Sequence, residues 1–242
     1  MNIYSKSDIG LIRDSNQDSF RTEKINENLL LSTVCDGMGG VNGGNIASKI
    51  AVDEITNYVL SNYNEDLSSD EIKKLLYNAV YSSNLCVYNK SRENKELSGM
   101  GTTVVVALIC NNKLYVVHVG DSRAYILNNN EIKKLTVDHS VVQEMVSNGE
   151  ITENEARMHP NKNIITRALG VSKDINPDYT SMEFLDEETL LICTDGLTNY
   201  IEDEKLFSMF KNNKIDVLPD KLISYAKEMG GSDNITLVIV NK

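Results

Sequence analysis

Two apolar runs of this chain stop on the same step. "LSTVCDGMGGVNGG" (31–44) passes from an apolar stretch into Asp36 and a string of glycines, and "TLLICTDGLTNY" (189–200) does the same at Asp195. An apolar strand that ends in Asp-Gly puts a carboxylate at the rim of a buried sheet. The glycine lets the backbone turn sharply and bring its carbonyl close to whatever the carboxylate holds. Taken singly, such a step is usually only a turn, because Asp hydrogen-bonds its own backbone there. Three further acids sit at comparable places, however: Asp18 opens the run in "RDSNQDSF", Asp121 follows "YVVHVG", and Asp233 precedes "NITLVIV". Brought together, five carboxylates would repel one another. Hard divalent cations that prefer oxygen, Mg²⁺ or Mn²⁺, are the natural remedy.

Other ligand classes fit less well. A P-loop needs GxxxxGK[ST], and no Lys-Ser or Lys-Thr follows these glycines; a dinucleotide loop needs GxGxxG, and Asn42 stands where its third glycine belongs. Cys35, Cys86, Cys110 and Cys193 are far apart with no CxxC pair, and the three histidines form no HExxH, so zinc is not indicated. Each cysteine lies in an apolar segment, which predicts buried free thiols in a reducing compartment. The formal charge of −11, from 24 basic and 35 acidic residues, speaks against a nucleic-acid partner, whose phosphates need a basic stripe. No apolar stretch reaches the roughly 18 residues of a membrane span, and the N-terminus lacks a secretory layout. A cytoplasmic protein without membrane insertion is expected.

Along the chain, "DSFRTEKINENLLLSTVCD" reads as two strands around a polar turn at Asn26–Asn28. Ile46, Ile50, Ala51, Ile55, Tyr58 and Val59 share one helical face after the glycine loop. Ile72, Leu75, Leu76, Ala79, Val80 and Val87 share another, with an N-cap expected at Ser69 or Asp70. Strands return at "TTVVVALIC", "KLYVVHVG" and "SRAYILNN", with Asn111-Asn112 and Gly120-Asp121 expected as hairpin turns of a meander. A mixed segment from about 138 to 170 carries a capping-box pattern at Thr152–Glu155. Strands "YTSMEF" and "TLLICTD", helices near 202–210 and 219–229, and a last strand "NITLVIV" complete the chain. With no linker or repeat, one domain over 1–242 is expected. Its pattern fits an α+β fold with an antiparallel core and helices on the outer faces.

The blocks "GLIRDSNQDSF", "VCDGMGG", "GMGTTVVVALI", "VVHVGDSRAYIL", "LLICTDGLTNYI" and "GGSDNITLVIV", in this order, resemble the metal-dependent (PPM, type 2C) Ser/Thr protein phosphatases, above all the compact bacterial ones. The likeness spans almost the whole chain. It implies a four-layer α/β/β/α sandwich, two central antiparallel sheets flanked by helices, with two Mn²⁺ or Mg²⁺ ions at one edge. By this resemblance Asp36 bridges the two metals, the Gly37 carbonyl binds one, and Asp195 and Asp233 ligate the other. Asp121, with Asp195, holds a third metal, and Asp18 orients water. Arg13 clamps the phosphate, a role suited to the paired donors of guanidinium, and Asn234 joins it in binding substrate.

The implied reaction is hydrolysis of phosphoserine and phosphothreonine by direct attack of a metal-bridging hydroxide, without a phosphoenzyme. Phosphorylated proteins, a cognate Ser/Thr kinase among them, are the implied partners of a monomer. The stretch 138–170 matches a mobile flap beside the cleft. A catalytically dead relative acting as a regulatory binding module, or a phosphomonoesterase of small molecules, are the competing readings. The pattern breaks where family members carry a histidine: here Val41 follows the glycines and Met38 follows the Asp-Gly pair. Without an imidazole acid, typically worth about 10²–10⁴-fold, alkyl phosphates should suffer more than aryl ones. His139 is a weak substitute, better read as a structural loop residue; His118 reads as core, and His159 falls in the flap.

Overall fold

The computed structural model describes residues 1–93 and 95–242, and at 40–42 the backbone alone, so the expectation attached to the Val41 side chain lies outside the described residues. Strands β1 (Asn2–Asp8), β2 (Asp18–Asn26) and β3 (Leu29–Met38) lead into helices α1 (Gly40–Asn62) and α2 (Ser69–Glu93). Then come β4 (Gly101–Thr102), β5 (Val104–Cys110), β6 (Lys113–Val119), β7 (Arg123–Leu127) and β8 (Ile132–Lys134). Short helices α3 (Val141–Ser147) and α4 (Glu153–Met158) precede β9 (Asp178–Glu183) and β10 (Thr189–Cys193). Helices α5 (Asp195–Thr198), α6 (Asp203–Asn212) and α7 (Leu218–Glu228) follow, and β11 (Ile235–Asn241) closes the chain.

Two antiparallel sheets result, one ordered β1-β11-β10-β7-β8 and the other β2-β3-β5-β6-β9 with β4 beside β3. Their central strands, β5, β10 and β11 among them, are apolar on both faces, and alternation along each strand decides which layer a side chain enters. On β5, Val104, Val106 and Leu108 face α1 and α2, whereas Val105, Ala107 and Ile109 point at the other sheet. On β11, Val238 and Val240 point inward between the sheets while Leu237 and Ile239 pack under α5 to α7. Three apolar layers therefore separate four layers of backbone: helices, sheet, sheet, helices. The expected α/β/β/α sandwich is the observed one. Among the described residues no helix is long and apolar enough to cross a membrane.

Several local expectations shift. The Asn111-Asn112 step is the hairpin turn foreseen, with both residues at positive φ, 49° and 63°. Gly120-Asp121 is not a hairpin: β6 lies in one sheet and β7 in the other, so this step carries the chain between sheets. Helix α2 is capped one residue early, where the Ser68 hydroxyl accepts from Glu71 N–H at 3.4 Å and the Glu71 carboxylate accepts from Ser68 N–H at 2.9 Å. The Thr152–Glu155 capping box forms as expected. Helix α1 starts within the glycines, at Gly40, rather than after them. Strand β1 and the short β8 went unforeseen, as did α5. Cys35, Cys110 and Cys193 are buried free thiols, but Cys86 is only partly buried.

Leu30 sits in the layer between the sheets with none of its side chain exposed. Leu30→Ala should lower the unfolding free energy by about 2–5 kcal/mol, through lost transfer energy and a cavity that two stiff sheets cannot close. Urea denaturation checks this; a loss under about 1 kcal/mol would show that the inter-sheet layer relaxes freely.

Candidate active site

The cleft opens at one end of the sandwich, where strand ends of both sheets meet. Asp18 begins β2 and lies directly across from Asp36 on β3. Asp195 is the first residue of α5, just after β10, and Asp233 precedes β11, the neighbour of β10. Asp121 sits where the chain crosses from one sheet to the other. A cleft of about 620 Å³ is lined by Arg13, Gln17, Asp36, Gly37, Met38, Asp121, Asp195 and Asp233, among others. Four acids that the sequence spreads from position 36 to position 233 thus share one space, with Asp18 directly across the strand pair from Asp36.

Backbone contacts hold Asp36 from both sides. Its N–H donates to Thr103 Oγ1 at 3.0 Å. Its carbonyl accepts from Thr103 N–H at 2.8 Å and from Thr102 Oγ1 at 2.7 Å. Thr103 Oγ1 in turn meets Ser122 Oγ at 2.7 Å, tying the Asp36 strand to the residue after Asp121. Thr102, Thr103 and Ser122 were not singled out in the sequence; their only signal was membership of the blocks "GMGTTV" and "GDSR". Gly37 allows a close approach that no other residue would: a Cβ there would lie 2.0 Å from the Gly44 carbonyl oxygen and 2.6 Å from that of Gln17.

Electrostatically the group is under stress. Loss of water raises the Asp36 carboxyl well above the usual range, and repulsion by Asp18, Asp195, Asp121 and Asp233 adds to it. Asp121 is raised by burial and then by Asp195 and Asp138. Asp195 is raised by burial and by Asp233, although Asn199 Nδ2 donates to its Oδ2 at 2.9 Å. Burial pushes Asp18 up to about 7, against hydrogen bonds from Thr236 and Thr194. One oxygen of Asp18 and one of Asp195, both Oδ1, are buried and have no hydrogen-bond partner among the described residues. Orphaned buried carboxylate oxygens beside like charges are costly unless a cation meets them. Oxygen-only donors of this kind suit Mg²⁺ or Mn²⁺, so the residues present fit the metals that the sequence suggested.

Arg13 reaches into the same field. Its Nη2 donates to Asp233 Oδ2 at 2.7 Å, and that bond, then Asp36 and Asp195 nearby, raises the guanidinium further. Asn234 does something other than line the cleft. Its Nδ2 donates to the carbonyls of Ile9 at 2.9 Å and Ser15 at 3.0 Å, and its Oδ1 accepts from Gln17 N–H at 2.8 Å. It is buried and spans the loop that carries Arg13, so the structure places it behind the site rather than at the substrate. Met38 lines the cleft, and no histidine does among the described residues. The segment from 138 to 170 borders the site: Asn163 and Ile165 line the cleft, and α3 and α4 contribute to a second cavity of about 240 Å³ that also reaches Asp121 and Asp195.

The protein phosphatase 2C family model matches residues 13–221. A serine/threonine phosphatase, stp, of Listeria welshimeri is 35% identical over 243 residues, covering 100% of this chain and 96% of the relative. The crystal structure of serine/threonine phosphatase Stp1 from Staphylococcus aureus superposes with a TM-score of 0.92 at 34% identity, covering 99% of this chain and 94% of that one. That of the catalytic domain of serine threonine protein phosphatase PstP in complex with two manganese ions gives a TM-score of 0.84 at 32% identity, over 98% and 96% of the two chains. The chain belongs to the protein phosphatase 2C family.

The raised carboxyls carry a pH signature for the metal-free protein. Asp18 titrates at about 7 in the fold against 3.8 as its ordinary value. The fold therefore binds that proton more tightly than the unfolded chain does. The stabilisation is complete below about pH 4 and is lost as pH rises to about 7. In EDTA, the melting temperature of the chain relative to its Asp18→Asn variant should fall across that window, as followed by circular dichroism. A constant difference from pH 4 to 7 would mean that Asp18 is not held neutral by its surroundings.

Proposed function

We propose that this chain is a metal-dependent protein serine/threonine phosphatase. The single observation that carries the reading is the convergence of Asp36, Asp121, Asp195 and Asp233 on one cleft, with Asp18 directly across from Asp36, two buried carboxylate oxygens unpartnered among the described residues and one arginine at the rim. Family membership supports the same reading. Asp36, the Gly37 carbonyl, Asp195 and Asp233 are the residues that would hold two Mn²⁺ or Mg²⁺ ions, with Asp121 and Asp195 serving a third. When bound, such ions supply Lewis acidity toward the phosphoryl group and a water made acidic enough to attack it near neutral pH.

The protein's own groups do the rest. Arg13, on a loop pinned by Asn234, offers paired donors to the oxygens of a phosphoryl group and releases Asp233 to do so. Asp18, fixed by the Thr194 hydroxyl at 3.0 Å, is placed to accept a proton from water or to orient it. Among the described residues no histidine stands on the cleft wall to protonate the leaving alkoxide, and Met38 occupies the place where an imidazole would serve. Aryl phosphates, whose leaving group needs little help, should accordingly be better substrates than their rank in other phosphatases would suggest. The open, polar cleft suits a phosphorylated side chain on a protein, and a cognate Ser/Thr kinase is the natural candidate among such substrates. We assign the segment 138–170, with α3 and α4, as a lid that selects among them, within a single domain over 1–242 that works as a cytoplasmic monomer.

A phosphothreonine peptide incubated with Mn²⁺ should release phosphate, with release abolished by EDTA and lowered more than about 10³-fold in Asp195→Asn. Arg13→Ala should cost about 10–100-fold in kcat/KM, the worth of a charged hydrogen bond to phosphate. Absence of Mn²⁺-dependent turnover on phosphopeptides and on p-nitrophenyl phosphate alike would instead favour a regulatory binding module. Turnover confined to small phosphate esters would favour a phosphomonoesterase.

A further inference from the structure

Two of the three histidines fold into the interior and take no part in the cleft. His118, on β6, and His139, just before α3, stack with ring centroids 4.7 Å apart and planes 19° from parallel. Both are only 4% exposed. Asp178 lies across from His118 in the sheet, and its Oδ2 is 3.3 Å from His139 Nε2. One ligand atom from each of these three residues falls within 4.8 Å of the others, a spacing that a transition metal could bridge.

The proton positions argue against a metal there. The Gly120 N–H donates to His139 Nδ1 at 3.1 Å. A peptide N–H can only donate, so Nδ1 carries the lone pair and the imidazole proton sits on Nε2, toward Asp178. His118 Nε2 is turned to the Val137 carbonyl at 2.9 Å and must likewise carry its proton there. Burial lowers the proton affinity of both rings, which keeps them neutral. The Arg167 guanidinium lies 3.1 Å from Asp178 Oδ1 and 3.2 Å from His139 Nε2. Because Nε2 already carries a proton, Arg167 Nη1 donates to Asp178 and to the Asn176 carbonyl at 3.3 Å, and places a positive charge at the mouth of the cluster. His139 Nε2 is therefore not free to ligate.

What His139 does instead is close a clamp. Besides accepting from Gly120 N–H, it donates its own backbone N–H to the Gly120 carbonyl at 3.0 Å. The two bonds grip the peptides on either side of Gly120, whose φ of +106° is open to glycine and strained for other residues. The next residue is Asp121. We propose that His139 is a positioning residue which, by fixing both peptides of Gly120, aims the Asp121 carboxylate into the cleft and so sets the affinity of the cation site shared by Asp121 and Asp195. The Asp178 carboxylate holds the ring in the tautomer that the clamp needs. The proposal rests on the phosphatase reading given above for those two acids.

Isothermal titration with Mn²⁺ alone, on full-length protein stripped of metal and checked for folding by circular dichroism, tests the clamp without relying on turnover. His139→Leu removes the acceptor and should weaken one Mn²⁺ site by about tenfold or more while the others stay within about threefold; Asp121→Asn identifies that site. His139→Asn, whose side-chain oxygen can accept from Gly120 N–H, should restore wild-type binding at the same step. If His139→Leu does not fold, Asp178→Ala, on the exposed side of the cluster, should weaken that step alone. Wild-type titration curves for His139→Leu, or for Asp178→Ala where it stands in, would overturn the proposal and leave the phosphatase reading intact. So would uniform weakening of every site without rescue by asparagine. A wild-type chain that binds no Mn²⁺ would overturn both.

Discussion

Carboxylates crowded into a half-buried cleft push one another apart, and the architecture is best understood as the frame that resists this push. Asp36 feels four neighbours of its own sign with little water to screen them. In a loop-built site such charges would separate. Here each is fastened to a strand end or to a residue bonded into one. Asp36 is bracketed by Thr102 and Thr103, Asp18 is held by the hydroxyl of Thr194, and Asp195 stands at the first turn of α5 directly after β10. The repulsion between like charges is relieved in part when protons are taken up, as the raised carboxyls show, and more fully where cations enter.

The sandwich makes that fastening possible. Three apolar layers leave the two sheets little freedom to slide, because a shift of one residue would turn every inward side chain outward. Strands β3 and β10 lie in different sheets yet deliver Asp36 and Asp195 to the same cleft. Between them passes the Gly120-Asp121 crossing, tied on one side to Thr103 through Ser122 and on the other to His139. The strand bearing Asp36 and the root of the 138–170 segment are thereby connected through this crossing. Asn234 and His139 are two versions of one device: a buried polar side chain whose capacity is used to hold a glycine-containing or irregular stretch of backbone in place.

The sequence disclosed most of this where the signal is local. Apolar runs that end in aspartate and glycine mark strand termini whatever the partner strand, so Asp36 and Asp195 are legible from the sequence. The capping box at Thr152 was legible for the same reason. What escaped notice depends on partners distant in the chain. Gly120-Asp121 has the chemistry of a hairpin turn, and only the pairing of β7 with β10 rather than β6 shows that it crosses between sheets. Strand β1, "NIYSKSD", is an edge strand alternating with polar residues, too weakly patterned to declare itself. The resemblance makes Asn234 a substrate ligand, whereas its amide points backward to Ile9, Ser15 and Gln17. Thr102, Thr103 and Ser122 acquire their roles only when two sheets are brought face to face.

The claim on which everything turns is that these side chains form a cation site and not merely an acidic hollow. Anomalous diffraction at the manganese edge, from crystals of the chain grown with Mn²⁺, addresses it directly. The account predicts at least two strong peaks in the cleft, within reach of Asp36, the Gly37 carbonyl, Asp195 and Asp233. An empty cleft, or manganese bound elsewhere with those groups turned away from one another, would contradict it.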